Sequence, residues 1–169
     1  MSKEYPLIMK DFDVPNILDI DVAIEQGYYD AVTKAVTEMS PDDVVDLVKD
    51  STLQGRGGAW FSAGMKWSFM PKEPKEDSYI CVNCDESEPG TFKDRALIEK
   101  NPHLALAGII IGAYAIRARV AYVYIRGEMT LGIELMTKAI EEAREKGFIG
   151  KNICGTDAEV QVYVHPGAG

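Results

Sequence analysis

Apolar positions along this chain come in short blocks whose spacing alternates between helical and strand-like. Residues 28–39 carry apolar side chains at helical spacing, and the Ser40–Pro41–Asp42–Asp43 run that follows is a start signal for a second helix through Lys49. It combines a capping serine, a first-turn proline and acids set favourably against the helix dipole. Residues 79–83 read as a buried strand and 103–118 as a helix apolar on nearly every face. Residues 120–125 read as a strand rich in β-branched and aromatic side chains. A helix over 130–146 aligns Leu131, Leu135, Ala139 and Ala143, with Met136 and Ile140 beside them; Glu141, Glu145 and Lys146 stay in water and Gly147 ends it. Residues 159–164 alternate like one more strand. The segment up to about Pro15 is mixed and is expected on the surface of something larger.

Strand, helix, strand, helix, strand implies parallel pairing through right-handed crossovers. The expected fold is α/β, a Rossmann-like open parallel sheet (βαβαβ) preceded by N-terminal helices. The boundary falls near residue 53, with a helical segment over 1–53 and an α/β domain over 54–169 that is truncated on its C-terminal side. In such sheets ligands collect beyond the carboxyl ends of the strands. Here those ends lead into NCDESEPG, RGEM and HPGAG, and the last stops at Gly169. The chain is therefore expected to carry part of a site.

Composition narrows the classes of function. A chain of 169 residues with 46% hydrophobic content is long enough to bury roughly 70% of its unfolded surface. A net charge of −9 disfavours nucleic acid and anionic membranes, which require clustered Lys and Arg. The N-terminal stretch lacks the apolar core of a signal peptide, and the apolar run from Leu104 to Ile116 is well short of the ~20 residues a membrane crossing needs. The expected location is cytoplasmic. Three cysteines, Cys81, Cys84 and Cys154, do not make a disulfide framework. A structural zinc would need four ligands, so buried, inert thiols are the expectation and no metal site is assigned.

Candidate chemistry lies in two loops. In GRGG, Gly55, Gly57 and Gly58 let backbone N–H groups approach a ligand closely, and Lys66 adds a full positive charge. The pattern is neither GxGxxG nor GxxxxGK[ST], and a glycine-rich turn taken alone is more often a tight loop than a phosphate site. In NCDESEPG, Asp85, Glu86 and Glu88 would repel phosphate. They can accept hydrogen bonds from ribityl or ribose hydroxyls, and Asn83 can both donate and accept. The competing reading is a solvated acidic turn that caps the helix around residues 93–99.

The motifs GRGGAWFSAGMKWSFMP, VNCDESEPGTFKDR, AYVYIRGE, GKNICGTD and VYVHPGAG, in this order over residues 54–169, resemble the N-terminal portion of one family. It is the NADH-oxidising, FMN-binding flavoprotein subunit of respiratory complex I and of NAD-linked hydrogenases and formate dehydrogenases. The resemblance implies that Gly55, Gly57, Gly58, Lys66, Asn83, Asp85 and Glu86 hold FMN. It implies that Phe61 and Phe69 stack on the NADH adenine and that Glu88 lies at the nicotinamide nucleotide. The implied activity is FMN-dependent oxidation of NADH, in which the cofactor performs the hydride chemistry and no side chain acts as acid or base. The implied partners are a thioredoxin-like small iron–sulfur subunit and further subunits of a dehydrogenase that is cytoplasmic or peripheral on a membrane. A 4Fe-4S cluster is expected only in the C-terminal part of the family. Four departures stand out: Trp60 replaces a family glycine, Ser62–Ala63 a proline–threonine pair, Cys84 an alanine, and Pro166 an arginine. They keep open the alternative of a truncated relative with a structural or weak flavin-binding role.

Overall fold

The structure is a computed structural model that describes residues 7–73 and 77–168; the first six residues of the mixed N-terminal segment lie outside it. Helix α1 (Ile20–Glu25) starts at Asp19, whose carboxylate accepts from the Asp21 amide. Helices α2 (Asp30–Glu38) and α3 (Pro41–Asp50) follow, and Ser40 and Asp43 form the reciprocal cap that the sequence announces. A short α4 (Ala63–Trp67) is capped by Ser62. The remaining elements are β1 (Tyr79–Cys84), α5 (Lys93–Lys100), α6 (Pro102–Ala115), β2 (Val120–Arg126), α7 (Thr130–Glu145) and β3 (Gln161–Gly167).

The sheet has the order β1-β2-β3 with both pairs parallel, Cys84 beside Ile125 and Arg126 beside Gly167. Strands added in one direction through right-handed crossovers place their connecting helices on the same face. Ala121, Val123, Ile125 and Val162 accordingly turn inward against Leu106 and Ile110 of α6 and Met136 and Ala139 of α7, all at most 1% exposed. The opposite face carries a ladder of part-exposed rings, Tyr79, Tyr122 and Tyr163, with centroids 6.4 and 5.9 Å apart. Ile17, Tyr29 and Val32 join the same core, so the N-terminal helices pack on the sheet-covering helices. Among the described residues no helix is long and apolar enough to cross a membrane.

Three expectations need correction. Helix α1 is absent from the sequence reading, because six residues are too few to show a period. The buried stripe of α7 runs through Gly132, Met136, Ala139, Ile140 and Ala143 and leaves Leu131 49% exposed. A Cβ at Gly132 would stand 3.3 Å from Ile98, so the glycine lets α7 seat on α5 and sets its rotation. Of the two cysteines in the CxxC, only Cys84 is buried; Cys81 lies on the open face, as strand alternation requires. Burial pushes the Cys84 thiol up to about 11.

Two polar side chains, Asn101 and His103, are fully buried where α5 meets α6. Asn101 donates to the Tyr28 hydroxyl at 2.7 Å and accepts from the Leu104 amide. The His103 ring bridges the Tyr29 hydroxyl (2.9 Å from Nδ1) and Glu142 (3.2 Å from Nε2). The neutral ring satisfies both contacts, with Tyr29 donating to Nδ1 and Nε2–H donating to the carboxylate. Burial holds the His103 pKa below its ordinary 6.5, against the opposing pull of Glu142.

Above that value neither folded nor unfolded chain is protonated at His103; below it the unfolded chain takes up the proton first. Stability should be level above about pH 7 and fall as pH drops below 6.5, by up to ~1.4 kcal/mol per pH unit. Urea unfolding at intervals from pH 7.5 to 5.5 measures the slope, and His103→Gln should flatten it.

Candidate functional site

The glycine loop is a closed excursion. Gln54 and Ser62 form an antiparallel bridge, the Gly55 amide donates to the Phe61 carbonyl at 2.9 Å, and the Ala63 amide donates to the Leu53 carbonyl at 2.8 Å. Gly58 has φ +105°, a conformation natural to glycine, and an added Cβ at Gly57 or Gly58 would meet nothing within 4 Å. Packing does not require these two glycines to be small, so the space beside them is open to a ligand. The loop is seated on α3 through Gly64, where a Cβ would collide with the Lys49 backbone. The loop's cations are available: Lys66 makes no ion pair among the described residues, and the Arg56 guanidinium lies 4.7 Å from the centroid of the Trp60 ring. Trp60 is half-exposed and sits at φ +52°. A positive φ is natural to the glycine of the resembled motif and strained for tryptophan, by roughly 1–2 kcal/mol.

Phe61 and Phe69 come together across α4, their ring centroids 6.1 Å apart and tilted by 51°, both substantially exposed. Beyond them Trp67 lies against Gly112 and faces β1 across an apolar cavity of about 390 Å³ shared with Ile80, Val82 and Asn83. The glycine loop and the carboxyl end of β1 are thus tied to one packed unit.

At that end the acidic loop divides its work. Asn83 accepts from the Asp85 amide at 3.0 Å through Oδ1, which leaves its amide donors free of protein partners among the described residues. The Glu86 side chain is 2% exposed, and its two oxygens accept from the Asp94 and Arg95 amides at 2.8 and 2.9 Å. It is the cap of α5, with Lys93 Nζ 3.9 Å away, so the structure directs this carboxylate inward. Glu88 is exposed at the start of the Pro89–Gly90 turn, which the Thr91 amide closes on the Glu88 carbonyl. Asp85 faces Arg126 at the end of β2, Oδ1 to Nε 3.9 Å, and neither atom has a hydrogen-bond partner among the described residues although both are enclosed. Glu86, Arg126 and Glu128 line a cavity of about 280 Å³ between the first turns of α5 and α7.

Arg126 and Arg56 are the site residues that sequence reasoning passes over. RGEM reads as a strand end, but which residue it faces depends on register. Among the described residues no group of three or more His, Cys, Asp and Glu could hold a metal ion.

A family model described as the Nuo51 FMN-binding domain matches residues 48–169. The chain is 48% identical over 164 residues to a subunit of NADH-quinone oxidoreductase from Rhizobium meliloti, covering 97% of this chain and 39% of the relative. It is 50% identical over 163 residues to a subunit of NADH-quinone oxidoreductase from Aquifex aeolicus, covering 96% of this chain and 38% of the relative. The chain thus spans about two fifths of the length of the curated relatives it matches. Among solved structures, the NAD+-reducing [NiFe]-hydrogenase in its H2-reduced state aligns with TM-score 0.69 and 28% identity, over 98% of this chain and 26% of that one.

Removing the cap should destabilise the fold whatever binds beside it. Glu86→Ala strips two charge-assisted hydrogen bonds from α5, and loss of ~2 kcal/mol is expected. Denaturant unfolding measures the loss, and hydrogen exchange at the Asp94 and Arg95 amides should accelerate with it.

Proposed function

Since the chain belongs to the Nuo51 FMN-binding domain family, we propose that it forms the FMN-binding portion of an NADH dehydrogenase flavoprotein subunit. The division of charge carries the reading. Two cations with no ion pair among the described residues, Lys66 and the Trp60-stacked Arg56, flank an open glycine loop, while acceptors and an unused amide gather at the strand ends. A ligand with a phosphate at one end and hydroxyl and imide groups at the other fits that polarity, and FMN is such a ligand.

In this reading the Gly57 and Gly58 backbone and Lys66 hold the phosphate, and Gly55, whose amide is bound to the Phe61 carbonyl, closes the base of the loop that presents them. Asn83 donates its free amide hydrogens, Asp85 accepts, and Glu86 acts by holding the loop in place. Phe61 and Phe69 offer an aromatic platform to the NADH adenine, and Glu88 accepts from ribose hydroxyls. FMN, when bound, supplies the group that takes a hydride from NADH and returns electrons one at a time. The protein's part is to orient both molecules and exclude water. Relatives named as subunits of NADH-quinone oxidoreductase support a place in a multi-subunit dehydrogenase; the neighbour in this reading is a thioredoxin-like iron–sulfur subunit and the setting cytoplasmic or peripheral on a membrane.

Titration of the 169-residue chain, followed by quenching of flavin fluorescence, tests the reading. FMN should bind in the micromolar range and riboflavin, which lacks the phosphate, at least tenfold more weakly. Lys66→Ala should weaken FMN by roughly ten- to 150-fold, the loss of one charged hydrogen bond of about 1.5–3 kcal/mol, and leave riboflavin unchanged. Equal affinity for the two flavins would remove the phosphate assignment. In the full-length subunit Glu88→Gln should narrow the preference for NADH over NADPH, since the wild-type carboxylate repels a 2′-phosphate. The ratio of specificity constants for the two nucleotides measures it, and a ratio within about twofold of wild type is too small for a charge in contact.

A further inference from the structure

A side-chain contact spans the mouth of the glycine loop. The Gly55 amide is bound to the Phe61 carbonyl, so residues 56–60 leave and re-enter the fold at one point. Arg56 and Trp60 are the first and last of them, and between lie only Gly57, Gly58 and Ala59, none with a side chain larger than a methyl group. The Arg56 guanidinium carbon stands over the Trp60 ring, 4.7 Å from its centroid.

Trp60 holds φ at +52° while half-exposed. That left-handed backbone suits glycine or asparagine and strains a larger residue, and an indole left in solvent recovers little of the cost through burial. Its aromatic contact among the described residues is with Arg56. A cation over an indole face is held by the ring quadrupole, and tryptophan is the best aromatic partner for it. Stacking engages only the face of the guanidinium. Its N–H donors lie in its own plane and keep their capacity for two parallel hydrogen bonds. A carboxylate would also hold Arg56 but would neutralise it, and Arg56 makes no ion pair among the described residues. The loop thus fixes a cation without consuming its charge, beside glycines where an added Cβ meets nothing within 4 Å.

We propose that Trp60 is a positioning residue that holds the Arg56 guanidinium beside the glycine loop, with the in-plane donors free to clasp a phosphate monoester. This rests on reading the loop as the flavin phosphate site, and it gives a role to the side chain that stands where the resembled motif has glycine. A free arginine loses rotamer freedom on binding, and one already stacked loses less. The benefit is confined to a ligand that carries a phosphate, so FMN gains from Trp60 and riboflavin does not.

Fluorescence titration of wild type, Trp60→Asn, Trp60→Phe, Arg56→Gln and the Trp60→Asn/Arg56→Gln double variant with FMN and riboflavin tests the assignment. Asparagine tolerates the backbone and lacks the ring. Trp60→Asn should lower the ratio of FMN to riboflavin affinity about two- to fivefold, with its urea midpoint at or above that of wild type because the strained backbone is relieved. Trp60→Phe, which keeps an aromatic face, should fall between the two. Arg56→Gln should lower the ratio at least fivefold, and adding Trp60→Asn to it should change nothing further, since both residues serve one phosphate. If wild type prefers FMN but Trp60→Asn lowers the ratio less than twofold, or Trp60→Phe is no better than Trp60→Asn, the inference is overturned and the flavin reading stands. A fall in the urea midpoint of Trp60→Asn with both flavins weakened alike makes Trp60 an ordinary packed ring and overturns it too. If wild type binds neither flavin, or both equally, the flavin phosphate reading falls. Inorganic phosphate, followed by indole emission at constant ionic strength, then decides the clasp: a saturable change in wild type that Arg56→Gln abolishes supports it, and no change overturns it.

Discussion

The parallel register of β1, β2 and β3 is the constraint on which the rest depends. The strands run in one direction and follow one another across the sheet, so their carboxyl ends arrive side by side and their crossover helices gather on one face. That single fact places Asp85 against Arg126, brings the first turns of α5 and α7 to the same edge, and buries Ala121, Val123 and Ile125 under α6 and α7. An antiparallel arrangement of the same segments would send alternate loops to opposite ends and disperse the cavity.

Polar groups are treated differently at the two ends of this architecture. Within the helical layer, Asn101 and His103 are wholly enclosed, yet each finds two partners, and the ring bridges α2 to α7. At the strand ends, Asp85 and Arg126 face each other without closing. An interior network that is fully matched fixes one packing, whereas the pair at the strand ends is held together by register and charge alone.

The sheet's second face has a distinct character. Tyr79, Tyr122 and Tyr163 lie across the three strands, and Tyr124 stacks on His165 at 5.9 Å. Parallel sheets are generally covered on both sides, and aromatic rings carry the apolar area such a cover would use. Cys81 belongs to this face, which is why its chemical setting differs from that of Cys84 three residues later.

Much of this was written in the chain order. The Ser40 cap, the apolar α6, the β-branched β2 and the Pro89–Gly90 turn are local signals, each read from residues within a few positions of one another, and their succession was enough for a parallel α/β fold. The motifs over residues 54–169 carried the family with them. What the sequence could not settle were relations between segments. Gly132 decides the rotation of α7 only because Ile98 is opposite, and Leu131 is left in solvent as a result. Glu86 resembles its acidic neighbours until α5 folds back to offer two amides to it. Arg126 is an ordinary strand-end cation until the register sets Asp85 beside it. Periodicity and caps are properties of one stretch of backbone, while register, burial and unmatched polar atoms arise only when distant stretches meet, and there the tertiary structure decided.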